Sequence, residues 1–141
     1  MSKILKVKAR QVFDSRGNPT VEAEAYTKNN SATAICPSGA STGTFEAFEK
    51  RDKNNKRYLG KSVFSAVNLV NTKISKKLKG QNIHNQERID TLLINLDGTR
   101  QKTNLGANAM LAVSMAVKKL SAKVKKVPLY KTFSVKNNFQ L

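Results

Sequence analysis

One cysteine, one histidine, no tryptophan, three prolines and nine acidic side chains stand in a chain of 141 residues. The lone Cys36 excludes an internal disulfide framework, and together with the lone His84 it cannot assemble a zinc site, which takes about four such ligands. Cys36 falls in an apolar-patterned segment and reads as a core thiol, not a nucleophile. His84, flanked by Asn82 and Asn85, reads as a loop or helix-start residue that nothing nearby in the sequence orients as a base. Long apolar runs are missing as well. The longest, residues 109–117, falls far short of the ~20 residues that cross a bilayer, and the opening MSKILKVKAR mixes charge with apolar residues where a signal peptide would have an apolar core. A cytoplasmic protein without membrane contact is expected.

Acids are outnumbered by 26 Lys and Arg, giving a net charge of +17. The excess sits in two blocks, residues 53–81 and 101–141, each with eight cations and no acid. Such a field favours polyanions and repels itself. Yet 20 of the cations are Lys and six are Arg, beside 14 Asn, whereas base-edge and bidentate phosphate recognition favour Arg. No zinc-finger spacing or aromatic-interleaved strand motif accompanies the charge. Binding to nucleic acid is therefore expected to be non-specific and salt-sensitive only. The length suits one domain, and 39% hydrophobic with 25% charged residues is ordinary globular composition.

What is present is a change of period along the chain. In PTVEAEAYT, Val21, Ala23 and Ala25 alternate with Glu22 and Glu24, which predicts a strand with one wet face. Leu5, Val7, Ala9 and Phe13 form a less regular strand before it, joined through the turn residues of DSRGNP. Asn29 and Asn30 offer a second tight turn, after which Ala32, Ala34 and Cys36 alternate again. Beyond Pro37 a polar, glycine-punctuated stretch runs to about Lys61, long enough to be a functional loop. Helices then follow. Val63, Val67, Val70, Ile74 and Leu78 make one stripe with Lys73, Lys76, Lys77 and Lys79 outside it. Asn85 caps a second helix, with Ile89, Leu92, Leu93 and Leu96 on one side and Gly98 at its end. From Ala107 to Lys125 a third helix is apolar nearly all round, with Met110 and Met115 read as core. Pro128 breaks it, and PLYKTF supplies one more turn with Leu129 and Tyr130 tucked inward. The expected fold is α+β: a three-stranded antiparallel β-meander followed by a helical bundle.

The strongest chemical candidate is PSGASTG, residues 37–43, directly after an apolar strand. Small residues let backbone approach an anion or metal, and Ser38, Ser41 and Thr42 add hydroxyl oxygens. It lacks the Gly-Lys-Ser/Thr ending of a P-loop and the spacing of a dinucleotide fingerprint, so on pattern alone a mobile surface turn is the favoured reading. Glu46, Glu49 and Asp52 nearby, interleaved with Lys50 and Arg51, read as a solvated, salt-bridged segment.

Together DSRGNPTVE (14–22), PSGASTG (37–43), EAFEKRD (46–52), RYLGK (57–61), LDGT (96–99), LGANA (105–109) and PLYK (128–131) resemble, in order and spacing, the amino-terminal domain of enolase. The resemblance covers essentially the whole chain, with Cys36 where an aliphatic is common and Thr33 where Arg is frequent. It implies a β-meander and helical bundle spanning residues 1–141. It also implies a part in the reversible dehydration of 2-phosphoglycerate to phosphoenolpyruvate, a lyase step of glycolysis and gluconeogenesis that uses two Mg²⁺. In the family the catalytic side chains lie in a β/α barrel carboxyl-terminal to this domain, so none is expected here. A barrel takes about 250 residues, and Leu141 closes the sequence, so the barrel is expected to be absent, the chain a fragment, a truncated reading frame or half of a split enzyme, and the isolated chain inactive. The resemblance further implies a substrate lid made of Ser38, Gly39, Ala40, Ser41, Thr42 and Gly43, with Ser41 a ligand to the second Mg²⁺. The implied partners are the barrel domain and, at full length, another copy in a homodimer or larger oligomer. The second reading is a stand-alone basic module that reuses the fold to bind polyanions non-specifically.

Overall fold

The computed structural model describes residues 2–39, 41 and 43–133. Strands β1 (Lys6–Phe13), β2 (Pro19–Tyr26) and β3 (Ser31–Cys36) form an antiparallel sheet in the order β1-β2-β3. The register pairs Ala9 with Ala23 and Ala23 with Ala34, so the small residues predicted to point inward do share one face. Val21, Ala23 and Ala25 are fully buried. In β1 the phase differs from the expected one. Val7 is buried, but Leu5 and Phe13 are about half exposed, because the inward position before the strand belongs to Ile4.

Helix α1 (Phe64–Leu69), a π turn (Val70–Ile74) and α2 (Ser75–Leu78) form one continuous rod where the sequence predicts a single regular helix. Val63, Val70, Ile74 and Leu78 are fully buried as the stripe requires, while Val67 is only partly so. The rod closes the outer edge of β1. Asn71 accepts from the Ala9 N–H at 2.8 Å and donates to the Ala9 carbonyl at 3.1 Å, imitating a neighbouring strand, and Ser75 accepts from the Val7 N–H at 3.0 Å. Four residues of helix rise about 6 Å and two residues of strand about 6.6 Å, so successive turns meet successive outward-facing backbone groups. A capped edge cannot recruit another strand.

Helix α3 (Gln86–Asp97) begins as predicted: the Asn85 side chain accepts from the Arg88 N–H at 3.0 Å, and Gly98 ends it with φ of 70°. His84 has a partner the sequence did not suggest, its Nδ1 lying 2.8 Å from the Ser121 hydroxyl. Helix α4 (Ala107–Lys125) lies across β2 and β3, with Ala109, Ala112, Val113, Ala116, Val117 and Leu120 excluded from solvent. Met110 joins the core, but Met115 does not. With Leu111 one turn before it, Met115 faces away from the sheet and is exposed. After Pro128 a 3₁₀ turn (Leu129–Thr132) is present, but Tyr130 is exposed instead of tucked in. Lys118 docks this turn by donating to the Thr132 carbonyl at 2.8 Å while lying over the Phe133 ring.

Two carboxylates, Asp97 buried and Asp52 partly so, organise the connections. Asp52 takes over the capping of α1, which Val63 cannot provide. It accepts from the Phe64 and Ser65 N–H groups at 2.9 Å and from the Ser62 and Ser65 hydroxyls. Asp97 accepts from the Thr99 N–H at 3.0 Å, the Thr99 hydroxyl and the Leu105 N–H at 2.7 Å, folding the α3–α4 link upon itself. Burial alone would raise both acids, but these hydrogen bonds, with the Lys102 charge helping at Asp97, outweigh it and hold both below the ordinary carboxylate range.

Two outcomes follow from this packing. An Asp placed at Ala112 or Val113 leaves an unpaired charge in a site with no solvent access. Either variant is expected to lose about 3–5 kcal/mol in chemical denaturation, and wild-type stability in both would refute the helix-on-sheet packing. For Asp97, a depressed folded-state pKa means that its stabilisation is complete above the unfolded value of about 4 and disappears as pH falls through the folded one. Asp97→Asn is therefore expected to lower stability at pH 7 and to flatten the loss of stability in acid, read from melting temperatures between pH 7 and 2.

Candidate functional site

The chain leaves β3 at Cys36 and enters the loop through Pro37. The Thr20 hydroxyl donates to the Cys36 carbonyl and fixes the point of departure on β2. Cys36 is partly buried against the core, where burial, with Glu49 adding to it, pushes its thiol up from the ordinary value, as a packing residue would show. Of the expected lid, Ser38 is half-buried and Gly39, Ser41 and Gly43 are exposed. Ala40 and Thr42 lie outside the described residues.

Charged groups that sequence reading places in a solvated segment instead hold this loop. Arg51 reaches in four directions. Its Nη1 donates to the Pro19 carbonyl at 3.0 Å and to the Lys61 carbonyl, and its Nη2 donates to the Ser38 hydroxyl at 2.6 Å and to Glu49 at 2.9 Å. Ser38 in turn donates to Glu49 Oε1 at 2.6 Å. From the β1–β2 turn, Arg16 Nη2 donates to the Ser38 carbonyl at 2.9 Å and the Gly39 carbonyl at 3.3 Å. At the far end Glu46 accepts from the Gly43 N–H at 2.9 Å. Both ends of the loop are thus fixed by charge-assisted bonds, which are about twice as strong as neutral ones. Ser41 lies exposed between the two anchors.

The acids do not act together. Glu46 serves the loop, Glu49 the arginine, and Asp52 has turned away to cap α1. The segment carrying them is clamped to α4: Ala107 N–H donates to the Phe48 carbonyl at 2.8 Å, and Asn108 exchanges two hydrogen bonds with the Lys50 backbone. Gly106 makes this approach possible. A Cβ there would lie 2.5 Å from that of Lys50, at a φ of 91°. Loop, clamped segment and helix together enclose a cleft of roughly 530 Å³, lined among others by Cys36, Ser38, Ser41, Glu46, Phe48 and Leu111.

This cleft does not by itself suit a magnesium ion. Mg²⁺ takes about six hard oxygens, normally including carboxylates. Among the described residues no group of three or more His, Cys, Asp or Glu is gathered closely enough to hold a metal. Ser41 offers neutral oxygens alone. Arg16, Glu49 and Arg51, which place the loop, escape a reading of periodicity because their partners lie up to 32 positions away. The signal for them was their place inside DSRGNPTVE and EAFEKRD. Arg51→Met strands Glu49 and two carbonyls in a half-buried setting. It is expected to cost about 2–3 kcal/mol in urea unfolding, against about 1 kcal/mol for Ser38→Ala; equal costs would contradict a hub at Arg51.

Comparison with known proteins agrees with this architecture. The family model described as the enolase N-terminal domain matches residues 4–133. The enolase of Pelagibacter ubique is 82% identical over 141 residues, covering 100% of this chain and 34% of that protein. The enolase of Methanosarcina mazei is 53% identical over 139 residues, covering 99% of this chain and 32% of its own. That of Methanococcus maripaludis is 56% identical over 137 residues, with 96% and 32% covered. The chain spans about a third of the length of these curated relatives. With the meander, the three-helix arrangement and the anchored PSGASTG loop in place, it belongs to the family of enolase amino-terminal domains.

Proposed function

We propose that this chain is the lid domain of an enolase, working with a β/α barrel in the interconversion of 2-phosphoglycerate and phosphoenolpyruvate in the cytoplasm. The observation that carries the reading is the loop itself. Its two ends are anchored through Ser38 and Gly43, and Ser41 is exposed between them at the mouth of a cleft. A loop held in this way moves at its tip about a fixed base, as closure over a substrate demands. In this reading Ser38, Gly39, Ala40, Ser41, Thr42 and Gly43 form the lid. Ser41 adds neutral oxygens to the second of two Mg²⁺ ions whose carboxylate ligands the barrel provides. Bound Mg²⁺ supplies neutralisation of the substrate's developing negative charge. The chain's own part is to bring the loop down, exclude water and position that oxygen.

Leu111 supports the need for a partner domain. It is half exposed on α4, lines the loop cleft, and shares an apolar stripe with the exposed Met115. An apolar patch continuous with an incomplete site suits docking by the barrel. Among the described residues no helix is long and apolar enough to cross a membrane. One cluster of lysines favours a second reading as a non-specific polyanion binder, since Lys73, Lys76, Lys77 and Lys79 are exposed with no acid near them in sequence. Salt separates the two, because polyanion binding falls steeply with ionic strength.

The test is phosphoenolpyruvate absorbance with excess Mg²⁺, first with the isolated chain and then with the barrel portion of a close relative added. The isolated chain is expected to match the no-protein blank, and the mixture to turn over. Ser41→Ala is expected to lower kcat in the mixture by about tenfold or more while leaving domain association unchanged. Turnover by the isolated chain, or an inert mixture whose two parts demonstrably associate, would overturn the proposal.

A further inference from the structure

The geometry points to Arg16 as the residue that sets how firmly the loop is held, because one of its nitrogens is contested by two sets of acceptors. This rests on reading residues 38–43 as a lid and adds a device that governs it. In the β1–β2 turn, Asp14 Oδ1 accepts from the N–H groups of Arg16 and Asn18, both at 2.9 Å. The other oxygen, Oδ2, is buried and accepts no hydrogen bond among the described residues, in a side chain only 4% exposed. Arg16 Nη2 lies 3.8 Å from it, close enough to pair but too far to bond. That nitrogen carries two hydrogens. Both are directed at the loop, to the carbonyls of Ser38 and Gly39.

A buried carboxylate oxygen without a donor is unfavourable. A shift of the guanidinium by about 1 Å would give it a charge-assisted hydrogen bond, and the same shift would withdraw Nη2 from the loop carbonyls. Arg16 therefore has two stable positions, one gripping the loop and one satisfying Asp14. Arg51 holds the Ser38 hydroxyl from the opposite side in either case, so the base of the loop stays while Gly39 is released. Asp14 biases the pair toward release, and the two residues act on the loop with opposite sign. A structural strut would not behave in this way, since removing either half of it would loosen the loop.

The experiment measures the backbone order parameter of Gly39 by ¹⁵N relaxation in this chain. Arg16→Gln removes the grip and is expected to lower the value toward the flexible range, below about 0.6. Asp14→Asn keeps the Oδ1 acceptor but removes the competing charge, and is expected to raise it toward the rigid value of about 0.85. An unchanged or lowered order parameter in Asp14→Asn, or no change in Arg16→Gln, overturns the inference. Should Asp14→Asn unfold the turn, Arg16→Lys decides. Its ammonium stops one bond short of the place that Nη2 holds, and Gly39 is expected to loosen as it does in Arg16→Gln; a Gly39 as rigid as wild type would sink the idea. None of these readouts needs metal, substrate or barrel. Failure here leaves the lid reading standing, and failure of the turnover assay leaves this result interpretable.

Discussion

Close packing of α4 on the sheet through small side chains is the constraint on which the rest of the molecule depends. Ala23, Ala25 and Ala34 on the sheet face Ala109, Ala112 and Ala116 on the helix, and all six are buried. Alanine at both surfaces brings helix and strand axes near to each other and leaves no room for a larger or charged side chain. The amino terminus of α4 is thereby carried to the sheet end at which β3 stops. There Ala107 and Asn108 meet the backbone of residues 48–50. A bulkier interface would lift the helix away and, with it, the segment bearing Glu49 and Arg51. The loop is positioned from the core outward, through hydrogen bonds that are each short and mostly backbone-directed.

The anchors divide the loop into parts with different energetics. Ser38 meets two ionised side chains, Glu49 and Arg51, while Gly43 is held by one exposed carboxylate. Charge-assisted bonds sheltered from water are worth more than the same bonds in solvent, so the amino-terminal end is the firmer one. At Gly39 a Cβ would come within 3.3 Å of the Ser41 carbonyl, so glycine there relieves crowding beside Ser41. The firm attachment of the base is thus a property of named residues, Ser38, Glu49 and Arg51.

How far the sequence carried this can be judged element by element. The three strands, the Asn85 cap, the Gly98 stop and the span of α4 were legible, because each depends on local periodicity or on a residue's own φ preference. The π turn was not. A stripe at steps of four, three, four and four reads as one regular helix, and the extra residue per turn shows only in where Asn71 and Ser75 meet β1. Leu5 and Met115 misled for the same reason: apolar character does not say which of two faces is covered, and their neighbours Ile4 and Met110 occupy the inward places. For the loop, composition and position were legible in PSGASTG, but its anchors were not. Arg16 and Arg51 act across long sequence separations, on backbone carbonyls that no residue pattern advertises.

The scarcity of acids, the plainest feature of the composition, acquires a structural meaning once each is located. Asp14 shapes the first turn, Glu22 and Glu24 pair with Arg10 on the wet face of the sheet, Glu46 and Glu49 hold the loop, and Asp52 caps α1. Glu87 sits in the first turn of α3, Asp90 bonds Gln86 and Ser114, and Asp97 folds the α3–α4 link. Eight of the nine acids therefore make hydrogen bonds or ion pairs within the domain, and Glu87 stands where a helix N-terminus favours negative charge. The large positive charge is the plain excess of 26 cations over these nine acids, each of which keeps its charge when it is hydrogen-bonded. A hard divalent cation needs carboxylates free to converge on one point, and among the described residues no three are gathered in that way. Under the lid proposal, Ser41, which is exposed, would bring only neutral oxygens to a metal, so the carboxylates that a hard cation requires would have to come from a second surface.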